Sequence, residues 1–287
     1  MSDPETIVVH KGHGLPYSKG LMAQSLSATG LAPERAFELA RVVERRLGER
    51  GDGQIDTAGL HALCEEVLLV EQGEPAVRRY RDWRRLDRLD RPLVVMIGGT
   101  TGVGKSTLAA MLAGRLGVNR VIATDVIRQV LRAFFSHELM PAVHHSAFEA
   151  DGAPDESGLA GYRLQAQHVG TGVGAILERA AGEGTPLIVE GVHVVPGALD
   201  GAVRERCVVV EALLAVSDEE LHRGHFSHRG GARPAERYVR RFDEIRRLQD
   251  ELVALARSAA VPVIENQSAD EALTELMELV LDAVGAA

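Results

Sequence analysis

This chain of 287 residues has little of what staples a protein, spans a bilayer or binds by positive charge. It holds two cysteines, Cys64 and Cys207, too few for a disulfide framework. Each sits in an apolar run, so both read as buried reduced thiols and favour a cytoplasmic protein. No apolar run approaches the length of a membrane span, and charge and polarity interrupt residues 1–20, which gives no signal-peptide pattern. Basic residues are outnumbered: the formal net charge of −9 argues against nucleic acid as the main partner, because phosphate backbones need a basic face. Repeats and low-complexity stretches are missing. So are the guanine-reading N-K-x-D pattern and a G-x-G-x-x-G following a strand, which disfavours a GTPase and a dinucleotide enzyme. What is present is a hydrophobic share of 45%, ample for a packed core, and a length that suits one large domain or two moderate ones.

Against that background one stretch stands out. Gly99, Thr100, Thr101, Gly102, Val103, Gly104, Lys105 and Ser106 fit G-x-x-x-x-G-K-[ST] at every fixed position, and Thr107 continues into a helical pattern. An apolar run of strand length, residues 93–97, precedes it, and residues 107–113 read as the helix that follows. Glycines let backbone N–H groups turn inward around a polyphosphate, and the helix N-terminus adds its dipole. Lys105 then reaches the β- and γ-phosphates and Ser106 ligates Mg²⁺. A Gly-rich turn that binds nothing does not explain a lysine at the helix mouth.

Around this loop the pattern divides near residue 90. Residues 6–9 suit a short strand, 12–14 a turn and 15–18 its return. Pro33 suits a first helical position, with Phe37, Ala40, Val43 and Leu47 on one face. Asp56 or Thr57 can cap the next helix, whose stripe is Leu60, Leu63, Cys64, Val67 and Leu68. An Arg-rich connecting helix over 74–91 ends at Pro92. Beyond it, strands at 93–97, 121–123, 187–189, 207–216 and 261–264 alternate with helices, one of them long, from 234 to about 256. Five short apolar strands with helical crossovers imply a parallel sheet covered on both faces, an α/β fold. Ligands on such sheets sit at the carboxyl ends of the strands.

Three strands end in polar residues that can face such a site: Thr124-Asp125, Glu190 and Glu265-Asn266. Asp125 can orient an acceptor hydroxyl, accept its proton or hold a Mg²⁺ water, and can equally cap the helix that follows. Arg128 and Arg132 share its helix face and suit bidentate binding of an anionic acceptor, unless that face is simply solvated. Glu190 stands where an acid supports Mg²⁺ through water, and His193 follows it as a substrate contact or an ordinary core histidine. His144 and His145 invite a metal reading, yet two neighbours do not easily share one ion; a substrate loop containing His145, or an ordinary loop, competes with it. Residues 222–229 open a basic stretch continued by Arg233, Arg237, Arg240 and Arg241. Arg223 and Arg229 are its candidates for phosphate contact in a closing lid, against the plain alternative of a solvated helix face. Residues 170–174, Gly-rich but without a lysine, read as helix.

Taken together, these residues resemble the 2-phosphoglycerate kinase family over nearly the whole chain. The phosphate loop 98–107 is shared with many families. The run Thr124-Asp125-Val126-Ile127-Arg128 with Leu131-Arg132, the segment His145-Ser146-Ala147-Phe148, the run Val189-Glu190-Gly191-Val192-His193, the helix 237–246 and Pro262-Val263-Ile264-Glu265-Asn266 are more specific. Pro16-Tyr17-Ser18-Lys19-Gly20 and Ser25-Leu26 resemble an ATP-cone, a small nucleotide-sensing domain. The resemblance implies a nucleoside-monophosphate-kinase-like P-loop kinase domain at 91–287 with a five-stranded parallel sheet. It also implies a small, mainly helical ATP-cone-like regulatory domain and connector at 1–90. The implied activity is phosphorylation of 2-phosphoglycerate to 2,3-bisphosphoglycerate with ATP and Mg²⁺. Lys105, Asp125 and Glu190 would be catalytic, and Arg128, Arg132, His145, His193, Arg223 and Arg229 would contact a small anionic phosphorylated substrate. Mg²⁺ would be held by Ser106, with Glu190 or Asp125 acting through water. Two readings compete: a P-loop kinase for another small anionic acceptor (a sugar acid, an inositol phosphate or a nucleotide sugar), and a non-catalytic nucleotide-sensing regulator. Homo-oligomer formation is left open by the sequence.

Overall fold

The computed structural model describes residues 6–10, 13–51, 53–148, 159–227 and 235–287. The chain forms two compact units, Met1–Arg88 together with Val284–Ala286, and Leu89–Ala283 with Ala287. Among the described residues no helix is long and apolar enough to cross a membrane.

The first unit begins with strands β1 (Ile7–His10) and β2 (His13–Pro16), paired antiparallel as the turn pattern suggests. Helices α1 (Lys19–Ser27) and α2 (Pro33–Arg50) follow, then β3 (Gln54–Asp56), α3 (Thr57–Gln72) and α4 (Glu74–Arg85) with a 3-10 turn over Leu86–Arg88. Pro33 opens α2 and the left-handed Gly51 closes it, while Asp56 caps α3 by accepting from the Gly59 amide at 2.7 Å. Two elements escape the sequence pattern. The first, α1, buries only Met22 and Leu26, too sparse a stripe to read. The second, β3, has three residues and a single apolar side chain, Ile55, and pairs parallel with β1. Phe37 is a correction: it is exposed, and the buried face of α2 is Ala36, Leu39, Ala40, Val43 and Leu47. These pack with Leu63, Cys64, Val67, Leu68 and Tyr80 into one core. Both cysteines are buried free thiols, and burial pushes Cys64 up to about 12.

The second unit runs β4 (Leu93–Gly98), α5 (Lys105–Leu116), β5 (Val121–Ala123), α6 (Thr124–Phe134), a 3-10 turn Pro141–His144 and α7 (Ala160–Glu183). It continues through β6 (Leu187–Glu190), α8 (Gly201–Arg206), β7 (Val208–Ala215) and α9 (Glu219–Ser227). It closes with α10 (Ala235–Arg240), α11 (Phe242–Ser258), β8 (Val263–Glu265) and α12 (Ala269–Ala286). The five strands form a wholly parallel sheet in the order β5-β6-β4-β7-β8. Every position of β4 is buried, which a strand achieves only with both sheet faces covered. On one face Val94 and Met96 meet Val169, Val173 and Leu177 of α7; α5 packs against β4, β5 and β6. The Gly-rich 170–174 stretch lies inside α7, as its lack of a lysine suggested. The long helix expected from 234 is two helices, broken at Arg241, where Phe242 turns into an aromatic cluster with Phe226 and Tyr238.

Register fixes where the loops leave the sheet. Ala123, Glu190 and Ile97 lie side by side across β5, β6 and β4. The chain after each therefore emerges at the same edge, with Glu190 between the Asp125 strand and the phosphate-loop strand.

Candidate active site

A polar cleft of about 430 Å³ opens at that edge. Thr101, Lys105 and Ser106 line it from the phosphate loop, and Glu190 and Gly191 from the end of β6. Asp125, Arg128 and Arg132 line it from α6, and His144 to Phe148 from the segment before α7.

The loop is shaped from outside. The Thr101 carbonyl accepts from His222 Nε2 at 2.9 Å, the Gly102 carbonyl from His225 Nδ1 at 2.8 Å and the Val103 carbonyl from Asn266 Nδ2 at 2.8 Å. A trans peptide sets its N–H opposite its carbonyl. The amides of Gly102, Val103 and Gly104 therefore point away from these partners. The first intrahelical bond of α5 runs from Leu108 N to Gly104 O, so the start of the helix brings its positive dipole end to the loop. Gly102 permits the approach of α9: at its φ of +95° an added Cβ would stand 2.6 Å from the Phe226 ring. Lys105 is buried and folds its ammonium over the loop, donating to the Thr100 carbonyl at 2.7 Å. Ser106 Oγ donates to Glu190 Oε1 at 2.8 Å. That pair of oxygen donors beside a cradle of N–H groups fits Mg²⁺ with a polyphosphate, since Mg²⁺ takes one or two protein oxygens and shares the rest with phosphate.

The α6 end is built by charge. Asp125 sits in the first turn of α6 but makes no cap; Ala123 occupies the N-cap position. Its carboxylate accepts from Arg128 Nε at 3.3 Å and stays half exposed towards the cleft. Arg128 is nearly buried, and its Nη1 also donates to the carbonyls of Val143 at 3.2 Å and His145 at 3.1 Å. Arg132 lies further out with a weak contact to Gln129 at 3.4 Å. His144 and His145 turn to different partners: His144 Nε2 donates to the Phe135 carbonyl at 3.0 Å, and His145 meets His137 at 3.4 Å.

Three of the substrate-contact expectations fare differently. His193 is buried away from the cleft, between Thr124 and Gln165, and burial pushes it down to about 4, so it is a neutral core histidine. Arg223 lies over the Phe242 ring, 3.8 Å from its centroid, outside the cleft lining. Arg229 falls outside the described residues, as does Arg233, and the Arg237 side chain is not described. Arg240 and Arg241 pair with Glu236 and Glu244 on a solvated face. The start of the expected lid, residues 222–227, is ordered helix that grips the phosphate loop, and burial pushes His222 down to about 4. Gln165, His137 and the carbonyl-binding role of Asn266 were not read from sequence. Asn266 alone had a signal, as a polar residue at a strand end.

A phosphate loop after the first strand of a five-stranded parallel sheet, opening on a cleft with acids at the neighbouring strand ends, defines a P-loop kinase of small molecules. The chain is 37% identical over 279 residues to a 2-phosphoglycerate kinase of Pyrococcus horikoshii, covering 94% of this chain and 92% of that protein. It is 35% identical over 283 residues to one of Methanopyrus kandleri, covering 95% and 86%. It is also 35% identical over 285 residues to one of Methanocaldococcus jannaschii, covering 97% and 92%. The chain belongs to the 2-phosphoglycerate kinase family. No protein-family model matches it. Among solved structures it is similar to shikimate kinase from Acinetobacter baumannii (19% identity, TM-score 0.39, 68% of this chain and 93% of that one). A gluconokinase from Sinorhizobium meliloti is also similar (17%, 0.35, 68% and 93%).

Proposed function

We propose that this protein transfers the γ-phosphoryl group of ATP to the 3-hydroxyl of 2-phosphoglycerate, giving 2,3-bisphosphoglycerate and ADP. The observation that carries the reading is kinship over more than nine-tenths of the chain with proteins of that name, joined to a cleft with both ends such a reaction needs. Inward amides of Gly102 to Ser106 and the Lys105 ammonium hold the β- and γ-phosphates. Arg128, Arg132 and His145 face the acceptor's carboxylate and phosphate. The acceptor oxygen forms a bond to phosphorus as the bond to the β–γ bridging oxygen breaks. The electron pair leaves with ADP, and the hydroxyl proton passes to Asp125. Ser106, with Glu190 or Asp125 through water, would hold Mg²⁺, which would neutralise charge on the phosphates. Positioning and electrostatics supply most of the acceleration in such chemistry. Measuring ADP formation against 2-phosphoglycerate, sugar acids, an inositol phosphate and a nucleotide sugar tests the reading; turnover with 2-phosphoglycerate above the rest is expected, and preference for another acceptor overturns it.

In the same reading residues 1–90 form an ATP-cone-like regulatory domain and connector, and 91–287 the kinase domain. A cleft of about 850 Å³ in the first unit is lined by Lys19, Arg41 and Arg45 together with Glu38, Glu44 and Glu49, and Lys19 pairs with Glu44 at 3.2 Å; the resemblance to an ATP-cone makes it the candidate nucleotide site there. Two ATP molecules bound per chain at saturation are expected; a single one leaves the phosphate loop as the one nucleotide site. Two buried free thiols support a cytoplasmic protein.

A further inference from the structure

Residues 141–148 supply His145 and Ser146 to the cleft, yet pair with no strand. After the 3-10 turn Pro141–His144 their path depends on side chains that bind their carbonyls. Arg128 binds two of these from the cleft side. From the core, Gln165 Nε2 donates to the carbonyls of Ala142 at 2.5 Å and His145 at 3.0 Å.

Gln165 is fully buried on α7, and its orientation is not free. Carbonyls only accept, so its amide nitrogen must face the loop and its Oε1 must face the other way. There Oε1 lies 2.8 Å from His193 Nε2, which must therefore carry the proton. His193 Nδ1 then presents a lone pair, and Thr124 Oγ1 stands 2.9 Å from it as the donor. One tautomer and one amide orientation complete the chain. Burial keeps His193 neutral, so the chain persists through the physiological range. Thr124 is itself fully buried, and Gly191 makes room for it: at φ +150° a Cβ there would run into the Thr124 hydroxyl. The chain thus starts beside both strand-end acids, Asp125 next to Thr124 and Glu190 next to Gly191, and ends on the loop.

We propose that Thr124, His193 and Gln165 are positioning residues, a buried one-way relay of hydrogen bonds that sets residues 141–148 against Asp125 and so fixes where the acceptor's anionic groups are held. The proposal rests on the reading of the cleft as a kinase acceptor site. It also accounts physically for Thr-Asp and Glu-Gly-Val-His occurring together: each acid carries beside it a residue of the relay or the glycine that admits it.

The test uses the full chain and two readouts. Gln165→Met keeps length and removes the donors, and Thr124→Val keeps shape and removes the hydroxyl, while Thr124→Ser retains the hydroxyl. In Gln165→Met and Thr124→Val, amide hydrogen exchange over 142–148 is expected to quicken about tenfold, with the amides of 99–106 unchanged. The KM for 2-phosphoglycerate is expected to rise about tenfold with the KM for ATP unchanged. Thr124→Ser is expected to behave as wild type in both. Unchanged exchange over 142–148 in both variants, an equal rise in the two KM values, or a Thr124→Ser protein as impaired as Thr124→Val would overturn the relay. Should Gln165→Met fail to fold, the Thr124 pair decides alone. Absence of wild-type turnover with 2-phosphoglycerate would refute the kinase reading, and the exchange readout would still decide the relay.

Discussion

The two loops of the cleft are built by different means. The phosphate loop is a local device: glycine spacing, a lysine at a helix mouth and a strand before it specify its path. Three outside residues, His222, His225 and Asn266, then hold successive carbonyls. The segment 141–148 has no such local code. It is held by Gln165 from α7, 23 and 20 positions from the carbonyls it binds, and by Arg128 from α6, 15 and 17 positions from its own. A loop with its own code tolerates the loss of one support, whereas a loop that depends on distant side chains moves when one is lost. The phosphate end is therefore expected to be robust except at the residues that touch phosphate, and the acceptor end to be sensitive in its supports as well.

The sharpest break in that contrast is at Lys105. Lys105→Ala is expected to lower kcat by at least about 10³-fold while the melting temperature and circular dichroism stay near wild type, since its ammonium bonds a loop carbonyl. Turnover near wild type would remove the loop from the chemistry. Asp125→Asn comes next. A general base contributes roughly 10²–10⁴-fold, so kcat should fall in that range with ATP affinity retained. Asp125 makes no helix cap but pairs with Arg128, and an unchanged melting curve is expected to separate loss of the base from loss of structure.

Smaller effects sharpen the comparison. Arg132→Ala is expected to raise the KM for the acceptor about tenfold or more, the worth of a charge-assisted contact of roughly 1.5–3 kcal/mol, without moving the KM for ATP. A rise confined to ATP would put the acceptor at the wrong end of the cleft. His225→Ala removes one of three outside supports and is expected to raise the KM for ATP only about fivefold, the worth of one ordinary hydrogen bond near 1 kcal/mol. A loss as large as that of Lys105→Ala would show the phosphate loop to be as dependent on distant supports as the other.

Acid tests both loops at once. His193 and His222 are held near 4, well below their unfolded value, so between about 6.5 and 4 the unfolded chain binds protons that the folded chain does not. Stability is full above that window and falls as pH drops through it. A melting temperature lower at pH 5 than at pH 7 by more than about 3 °C is expected; no change would mean that the two imidazoles are not buried neutral.

What the sequence disclosed follows the same division. The five strands, the phosphate loop and the acids at strand ends were legible, because apolar runs bounded by helices and a fixed glycine spacing are local signals. The cleft positions of Asp125, Arg128, Arg132 and Glu190 followed from strand ends and helix faces. His193 was not legible as a support, because its role depends on Gln165, 28 residues away on α7, and a lone histidine after a strand looks the same in either role. Arg223 misled because a basic run does not reveal which guanidinium lies over Phe242. In the first unit, β3 went unseen because a three-residue strand with one apolar side chain has no period to detect.

The most direct measurement is phosphorus-31 NMR of the products formed from ATP, Mg²⁺ and 2-phosphoglycerate by the intact protein. The expected spectrum shows the resonances of ADP with a second phosphomonoester on the acceptor, that of 2,3-bisphosphoglycerate, growing in step. ADP accompanied by inorganic phosphate, or an acceptor that keeps its single phosphate while ATP is consumed, would contradict the assignment of Asp125 and its neighbouring arginines to an acceptor site.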